Sequence, residues 1–312
     1  MLRLDRLTKV YGTFPALNGL SLEIAGGQLH GFVGPNGAGK TTTMRIIATL
    51  LAPTSGTVEI DGVNVVQHGS EARKLIGYMP DFFGVYDNLK CWEYLDFYGR
   101  CYRLSAGERK QMTDRLLELV QLTEKREAYV ESLSRGMKQR LCLARSLIHD
   151  PKLLILDEPA SGMDPRARAD MKGILKSLRE MGKTVLISSH ILPELSEMCD
   201  SLTILDHGSL VFSGSVDELS EKMNGNAPLD IRLREGCGED AVDQAVACLK
   251  EIPFIREILQ EETHLLRAKL EGGEEETAQV LRELISRGVP VCDFHRAPMN
   301  LEKVFMEVTG DA

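Results

Sequence analysis

The order of apolar and polar positions separates a long first part of the chain from a shorter second one. From Leu2 to about Val211, short β-rich runs alternate with helical patterns, the form of a largely parallel sheet wrapped by helices. Residues 1–11 alternate charged and apolar side chains and predict a strand. Three apolar runs then end in polar groups: Leu29–Val33 in a glycine-rich loop, Leu153–Leu156 in Asp157 and Glu158, and residues 184–188 in Ser189 and His190. In open parallel sheets a ligand lies outside the carboxyl ends of the strands, so these three termini are expected to meet at one crevice. Residues 91–150 read as helical, interrupt the alternation and predict a subdomain.

After Ser213 and Gly214 a short helix is expected over residues 216–223. Asn224, Gly225, Asn226 and Pro228 are turn formers, so 224–228 reads as a linker between a domain at 1–223 and another at 229–312. Residues 229–233, 241–249, 254–259, 264–270, 275–285 and 289–294 follow as β, α, β, β, α, β, the order of a small α+β ferredoxin-like module. A last helix over 301–308 would set Leu301, Val304, Phe305 and Val308 on one face. The chain has no internal repeat and no low-complexity tract.

Composition narrows the function classes. With 312 residues, 43% apolar and 27% charged, the chain is an ordinary globular one, and no apolar run approaches the roughly 20 residues of a membrane helix. The first residues lack the basic start, apolar middle and small-residue cleavage site of an export signal, so a cytosolic location is expected. Seven scattered cysteines, none spaced as a metal pair, read as reduced thiols. The net charge of −9 is concentrated late: residues 1–225 carry 27 basic and 28 acidic groups, whereas 226–312 carry 10 and 18. An acidic appendage disfavours a nucleic-acid partner, whose phosphates call for clustered lysine and arginine.

The strongest chemical signal is Gly34, Pro35, Asn36, Gly37, Ala38, Gly39, Lys40 and Thr41, the pattern G-x-x-x-x-G-K-[ST], between a predicted strand and a helix expected over 41–51. Backbone N–H groups of such a loop cradle phosphates at a helix amino end. Lys40 would reach the β and γ phosphates of a nucleoside triphosphate, and the Thr41 hydroxyl would sit on a magnesium ion, with Thr42 beside it. A glycine-rich turn that merely starts a helix is the plain alternative. Asp157 and Glu158 point to opposite sides of their strand end, so Asp157 would join the metal shell and Glu158 would polarise a water; two solvated acids in a turn would look the same in isolation.

With Leu133, Ser134, Arg135, Gly136 and Met137 opening a helix just before that strand, the chain resembles the ATP-binding cassette (ABC) ATPases, and the resemblance covers roughly residues 2–220. The family signature is usually Leu-Ser-Gly-Gly-Gln, so Arg135 and Met137 depart from it. The resemblance implies a P-loop nucleotide-binding domain with a helical subdomain, ATP and Mg2+ as cofactors, and head-to-tail pairing of two copies. Each ATP would lie between Lys40, Thr41, Asp157 and Glu158 of one copy and Ser134 and Gly136 of the other. Tyr11 matches the aromatic that stacks on adenine. Gly162, Met163 and Asp164 fall at the family's D-loop, usually Ser-Ala-Leu-Asp, and His190 matches the switch histidine at the γ-phosphate. Asp81 stands where the family has a glutamine; as a carboxylate it can take a metal contact but adds negative charge beside the triphosphate.

Residues 82–102 hold Phe82, Phe83, Tyr86, Trp92, Tyr94, Phe97, Tyr98 and Tyr102, 8 of the 17 aromatics. The resemblance makes this segment a groove for a helix of a membrane partner; the core of the helical subdomain is the competing explanation. The implied partners are an integral membrane permease and a second copy of the chain, at the cytoplasmic face of a membrane. The tail looks like that of exporter-type subunits serving drugs, lipids or polysaccharides. An importer subunit and a nucleotide-binding regulator with weak hydrolysis are the alternatives.

Overall fold

The computed structural model describes residues 1–82, 84–219, 228–262 and 264–296. The chain separates into two compact units, Met1–Val216 and Asp217–Ala312. The expected linker residues 224–227, the helix at 301–308, the end of the helix expected over 216–223, and Phe83 lie outside the described residues.

The first unit has two sheets. Strands β1 (Leu2–Tyr11), β2 (Phe14–Ile24), β4 (Ser55–Ile60) and β5 (Val63–Asn64) form an antiparallel sheet in the order β2-β1-β4-β5. The expectation of one largely parallel sheet over this stretch is therefore corrected. The physical reason is local, since the short turn between β1 and β2 can join only antiparallel neighbours. The second sheet is the parallel one. It runs β10-β9-β3-β8-β7-β6, with β3 (Leu29–Val33), β6 (Ile76–Met79), β7 (Leu153–Leu156), β8 (Thr184–Ser189) and β9 (Ser201–Asp206) parallel and β10 (Ser209–Ser215) antiparallel at its edge. Strands β3, β7 and β8 are fully buried along their length, as expected of a parallel sheet covered on both faces. One core, including Leu4, Leu7, Leu20, Phe32, Met44, Ile155 and Leu186, joins the two sheets.

Helix α1 (Lys40–Ile47) follows the glycine loop, and α2 (Gly69–Leu75) precedes β6. The helix expected over 41–51 is shorter than its apolar pattern suggested. Thr49 turns left-handed at φ 64, and the amides of Leu50 and Leu51 both donate to the Arg45 carbonyl at 2.9 and 3.2 Å, which closes the helix. The interrupting region consists of α3 (Cys91–Cys101), α4 (Ala106–Leu119) and α5 (Arg135–Leu147). Ser105 caps α4 in a capping box with Glu108, and the Ser134 hydroxyl accepts from the Met137 amide at 3.3 Å to cap α5. Helix α6 (Pro165–Glu180) starts with the Asp164 carboxylate accepting from the Ala167 amide at 2.9 Å and with Pro at its first turn, and α7 (Leu192–Ser196) follows β8.

The second unit places β11 (Leu229–Leu233), α8 (Glu239–Lys250), β12 (Ile255–Glu262), β13 (Leu265–Leu270), α9 (Glu274–Ser286) and β14 (Val291–Arg296) in sequence. Its sheet order is β12-β13-β11-β14 with every neighbour antiparallel, the arrangement of a split βαβ module. Leu229, Ile231, Leu266, Leu249 and Val280 close its core. Asp230 and Arg267, opposite each other on β11 and β13, pair through two bonds of 2.7 and 2.9 Å. Among the described residues no helix is long and apolar enough to cross a membrane.

Candidate nucleotide site

Strands β3, β7 and β8 are parallel neighbours, so the three polar termini read from the sequence leave the same sheet edge, joined by Asp81 just beyond β6. They open on a cavity of about 450 Å³. Its walls are the loop residues Pro35, Asn36, Gly37, Ala38 and Gly39, the first residues of α1, Lys40, Thr41 and Thr42, the β1–β2 hairpin residues Tyr11, Phe14 and Ala16, and Asp81, Glu158, Ser161 and His190.

The loop keeps its path because two positions exclude a side chain. A Cβ on Gly34 would lie 2.5 Å from the Leu205 carbonyl oxygen, and one on Gly39, at φ 100, would lie 2.7 Å from the Ala16 carbonyl oxygen. The Lys40 ammonium folds back across the loop and donates to the carbonyls of Gly34, at 2.5 Å, and Pro35, at 3.1 Å. Burial lowers its pKa, and the carboxylates of Glu158 and then Asp157 oppose that shift. A buried cation held across a glycine-rich loop at a helix amino end is an electrostatic seat for a polyanion.

Asp157 is 1% exposed. Its Oδ1 accepts from the Thr41 hydroxyl at 3.2 Å and from the Ser188 hydroxyl at 2.7 Å. Its Oδ2 is buried with no hydrogen-bond partner, a costly state for a carboxylate oxygen unless a cation completes it. Hard oxygen donors suit Mg2+, which takes one or two protein oxygens and the rest from phosphates and water. Among the described residues no cluster of three or more His, Cys, Asp or Glu could hold a metal, so a magnesium ion here would depend on the nucleotide for most of its ligands.

Glu158 leaves β7 with φ 50, an uncommon conformation for a residue with a side chain. Its amide donates to the Ser188 hydroxyl at 2.9 Å, so Ser188 ties both acidic residues to β8. His190 Nδ1 lies 3.1 and 3.0 Å from the two oxygens of the Glu158 carboxylate. Tyr11 and Phe14 pair across the hairpin at the rim, 47% and 61% exposed, with the Lys9 ammonium 5.2 Å from the Tyr11 ring centre.

Ser134 and Gly136 are on no wall of this cavity. Ser134 is exposed at the amino end of α5, while Gly136 is buried against α6, where a Cβ would come within 2.9 Å of the Ala167 methyl. Phe14, Ser161 and Ser188 escaped the reading of the sequence. For Phe14 the signal was an aromatic across a glycine turn from Tyr11, and for Ser188 a hydroxyl at the end of an apolar strand.

Residues 17–161 match the ABC transporter family. The chain is 35% identical over 307 residues to the daunorubicin resistance ATP-binding protein DrrA3 of Streptomyces coeruleorubidus, covering 98% of this chain and 95% of that one. It is 36% identical to the Nod factor export ATP-binding protein I of Cupriavidus metallidurans, covering 99% and 97%, and 30% identical to the linearmycin resistance ATP-binding protein LnrL of Bacillus subtilis, covering 99% and 98%. Among solved structures it is similar to an ATP-binding subunit of an ABC transporter, with a TM-score of 0.65 and 28% identity over 72% of this chain and 93% of that one. It is also similar to a dimeric ATP-binding cassette in a post-hydrolysis state bound to ADP and Pi, with a TM-score of 0.63 and 26% identity over 69% and 99%. With a phosphate-cradling loop, a buried lysine and a paired Asp-Glu strand end meeting at one cavity, and with near full-length agreement with these relatives, the chain belongs to the ATP-binding subunits of ABC transporters and is an ATPase of that family.

Proposed function

We propose that this ATPase drives a separate membrane permease of the exporter kind, and that two copies close head to tail on two ATP molecules. The observation that carries the pairing is the division of the site. Lys40, Thr41, Asp157, Glu158 and His190 gather at the cavity or directly beneath it, while Ser134 lies exposed elsewhere at a helix amino end that can receive a phosphate. A second copy can bring its Ser134 and Gly136 to the open side. The exporter reading is supported by relatives named for daunorubicin resistance, linearmycin resistance and Nod factor export. A place at the cytoplasmic face of a membrane follows from the need to meet both ATP and a permease.

In this mechanism the loop amides and Lys40 hold the triphosphate, and Tyr11, with Phe14 beside it, stacks on the base. Thr41 and Asp157 would hold Mg2+, which would supply charge neutralisation to the triphosphate. Glu158 takes a proton from water as the new oxygen–phosphorus bond forms at the γ-phosphate and the bridge to ADP breaks. His190 keeps the Glu158 carboxylate aimed. The γ-phosphate contacts favour closure, so its loss reopens the pair.

The test is Glu158→Gln with ATP and magnesium in gel filtration. A dimer that disperses on chelation is expected; a monomer that still binds nucleotide would contradict the pairing. Steady-state phosphate release, with Lys40→Ala as the blank, separates the transporter ATPase from a nucleotide-binding regulator.

A further inference from the structure

The amino end of α5 grips the loop that follows Glu158 at two points. The Gln139 amide donates to the Ser161 carbonyl at 3.1 Å. One turn earlier on the same helix, the Arg135 guanidinium fills the space above Gly162. A Cβ built on Gly162, whose φ is +67, would lie 2.6 Å from Arg135 Cζ and 2.7 Å from each terminal nitrogen. The planar group therefore rests where any other residue would carry its side chain, and guanidinium planes stack well on flat polar surfaces. Arg135 stands where the family signature usually has a glycine, and its guanidinium fits sterically over the side-chain-free Gly162.

We propose that Arg135 is a positioning residue, matched to Gly162, that fixes the loop carrying Ser161 against its own cavity and so links the signature helix to the chain's own hydrolytic carboxylate. Ser161 lines the cavity, its amide donates to the Glu158 carbonyl at 3.1 Å, and the Met163 amide donates to the Ala160 carbonyl at 3.3 Å. This loop sets the backbone of Glu158 from its carboxyl side, as Ser188 sets it from the amide side. Arg135 and Gly162 line no part of the chain's own cavity, so within a single chain the pair acts on the rate and not on nucleotide affinity. If two copies pair as proposed above, the helix end that meets one ATP is also the one that holds the loop beside the other. The inference rests on that ATPase reading for its kinetic readout alone.

The experiment is a double-mutant cycle with Arg135→Gly, Gly162→Ala and both together, read as kcat, as affinity for a fluorescent ATP analogue without magnesium, and as hydrogen exchange at residues 161–163. Each single variant is expected to lower kcat about fivefold or more with affinity within about twofold, and the double variant to be no worse than Gly162→Ala, because both variants remove one contact and the strain of an alanine at the left-handed Gly162 position is common to Gly162→Ala and the double. Exchange at Ser161 and Met163 should quicken in Arg135→Gly. Losses that multiply in the double variant, or unchanged exchange in Arg135→Gly, overturn the proposal. Should Gly162→Ala fail to fold, Arg135→Lys decides: it keeps the charge but not the planar group, and full kcat in it overturns the proposal. A wild-type chain without turnover would contradict the ATPase reading, while the exchange measurement would still test the contact.

Discussion

His190 Nδ1 sits almost equidistant from the two carboxylate oxygens of Glu158, at 3.1 and 3.0 Å. A contact shared so evenly fixes the plane of the carboxylate as well as its position, which would matter for the general base proposed above, since it must receive a proton from one direction. Glu158→Gln is expected to lower phosphate release by about 10²- to 10⁴-fold, the usual range for a removed general base. His190→Ala should lower it less, because the carboxylate remains and only its aim is lost. Both variants should bind a fluorescent ATP analogue as the parent does. Equal losses in the two would assign His190 a role of its own at the phosphate.

Lys40 illustrates a conflict between stability and function. Burial lowers the pKa of its ammonium, so the folded chain holds a charge that its surroundings disfavour, with Glu158 and Asp157 only partly offsetting this. Lys40→Met should abolish nucleotide-dependent stabilisation in thermal unfolding. Without nucleotide the variant should melt no lower than the parent. A large drop in the nucleotide-free melting temperature would mean that the bonds to the Gly34 and Pro35 carbonyls hold the loop together.

His30 gives the parallel sheet an acid sensitivity. It is 2% exposed on β3 with its ring nitrogens 2.7 Å from the Ser201 hydroxyl and 2.8 Å from that of Thr203, and burial lowers its pKa to about 4. Above the unfolded value of 6.5 the ring is neutral in both states and contributes no pH dependence. As pH falls from 6.5 towards 4 the unfolded chain takes up a proton that the folded chain refuses, so stability declines, by about 3 kcal/mol at the lower end at 1.36 kcal/mol per pKa unit. Denaturant unfolding of parent and His30→Gln across that window should show a steeper loss in the parent. Parallel curves would show that His30 titrates alike in both states.

The parts of the site that follow from short-range chemistry were legible in the sequence. The glycine loop, Lys40, Thr41 and the Asp157-Glu158 pair need only local spacing, and the parallel register of β3, β7 and β8 brings them together. The ends of α1 and the antiparallel first sheet were not legible, because a left-handed Thr49 and a two-residue turn override apolar periodicity that fits either arrangement. The Ser188 bridge and the Arg135–Gly162 fit depend on residues 30 and 27 positions apart in the chain, and no spacing rule announces such contacts.

The aromatic segment divides by burial. Tyr94 is fully buried in the helical region and meets the Tyr98 ring at 5.1 Å, so it belongs to the core there. Phe82 is 91% exposed and Tyr86 52% exposed, the latter edge-on to Phe97 at 5.3 Å. A phenylalanine so exposed, just past β6 and next to cavity-lining Asp81, suits a partner surface. Phe82→Ala combined with Tyr86→Ala should leave the ATPase rate of the isolated chain unchanged and abolish transport with the permease in vesicles. Equal loss of both activities would place the two rings in the chain's own packing.

Asp81 lies on the cavity wall, where its carboxylate would face two partners of opposite sign if the cavity takes a metal-bound triphosphate as proposed. It would repel the triphosphate and attract an accompanying divalent cation, so its removal is expected to have opposite consequences for the two. A unit charge about 4 Å away is worth up to about 4 kcal/mol at an effective dielectric near 20, and Asp81 is exposed, so screening leaves a fraction of that. Asp81→Gln is therefore expected to tighten binding of a fluorescent ATP analogue in EDTA several-fold. The same variant should raise the magnesium concentration needed for half-maximal turnover by a similar factor. Because the two shifts have opposite signs, a general loosening of the site cannot mimic them. If both titrations move together, or neither moves, Asp81 touches neither phosphate nor metal, and the carboxylate at this position is electrostatically silent.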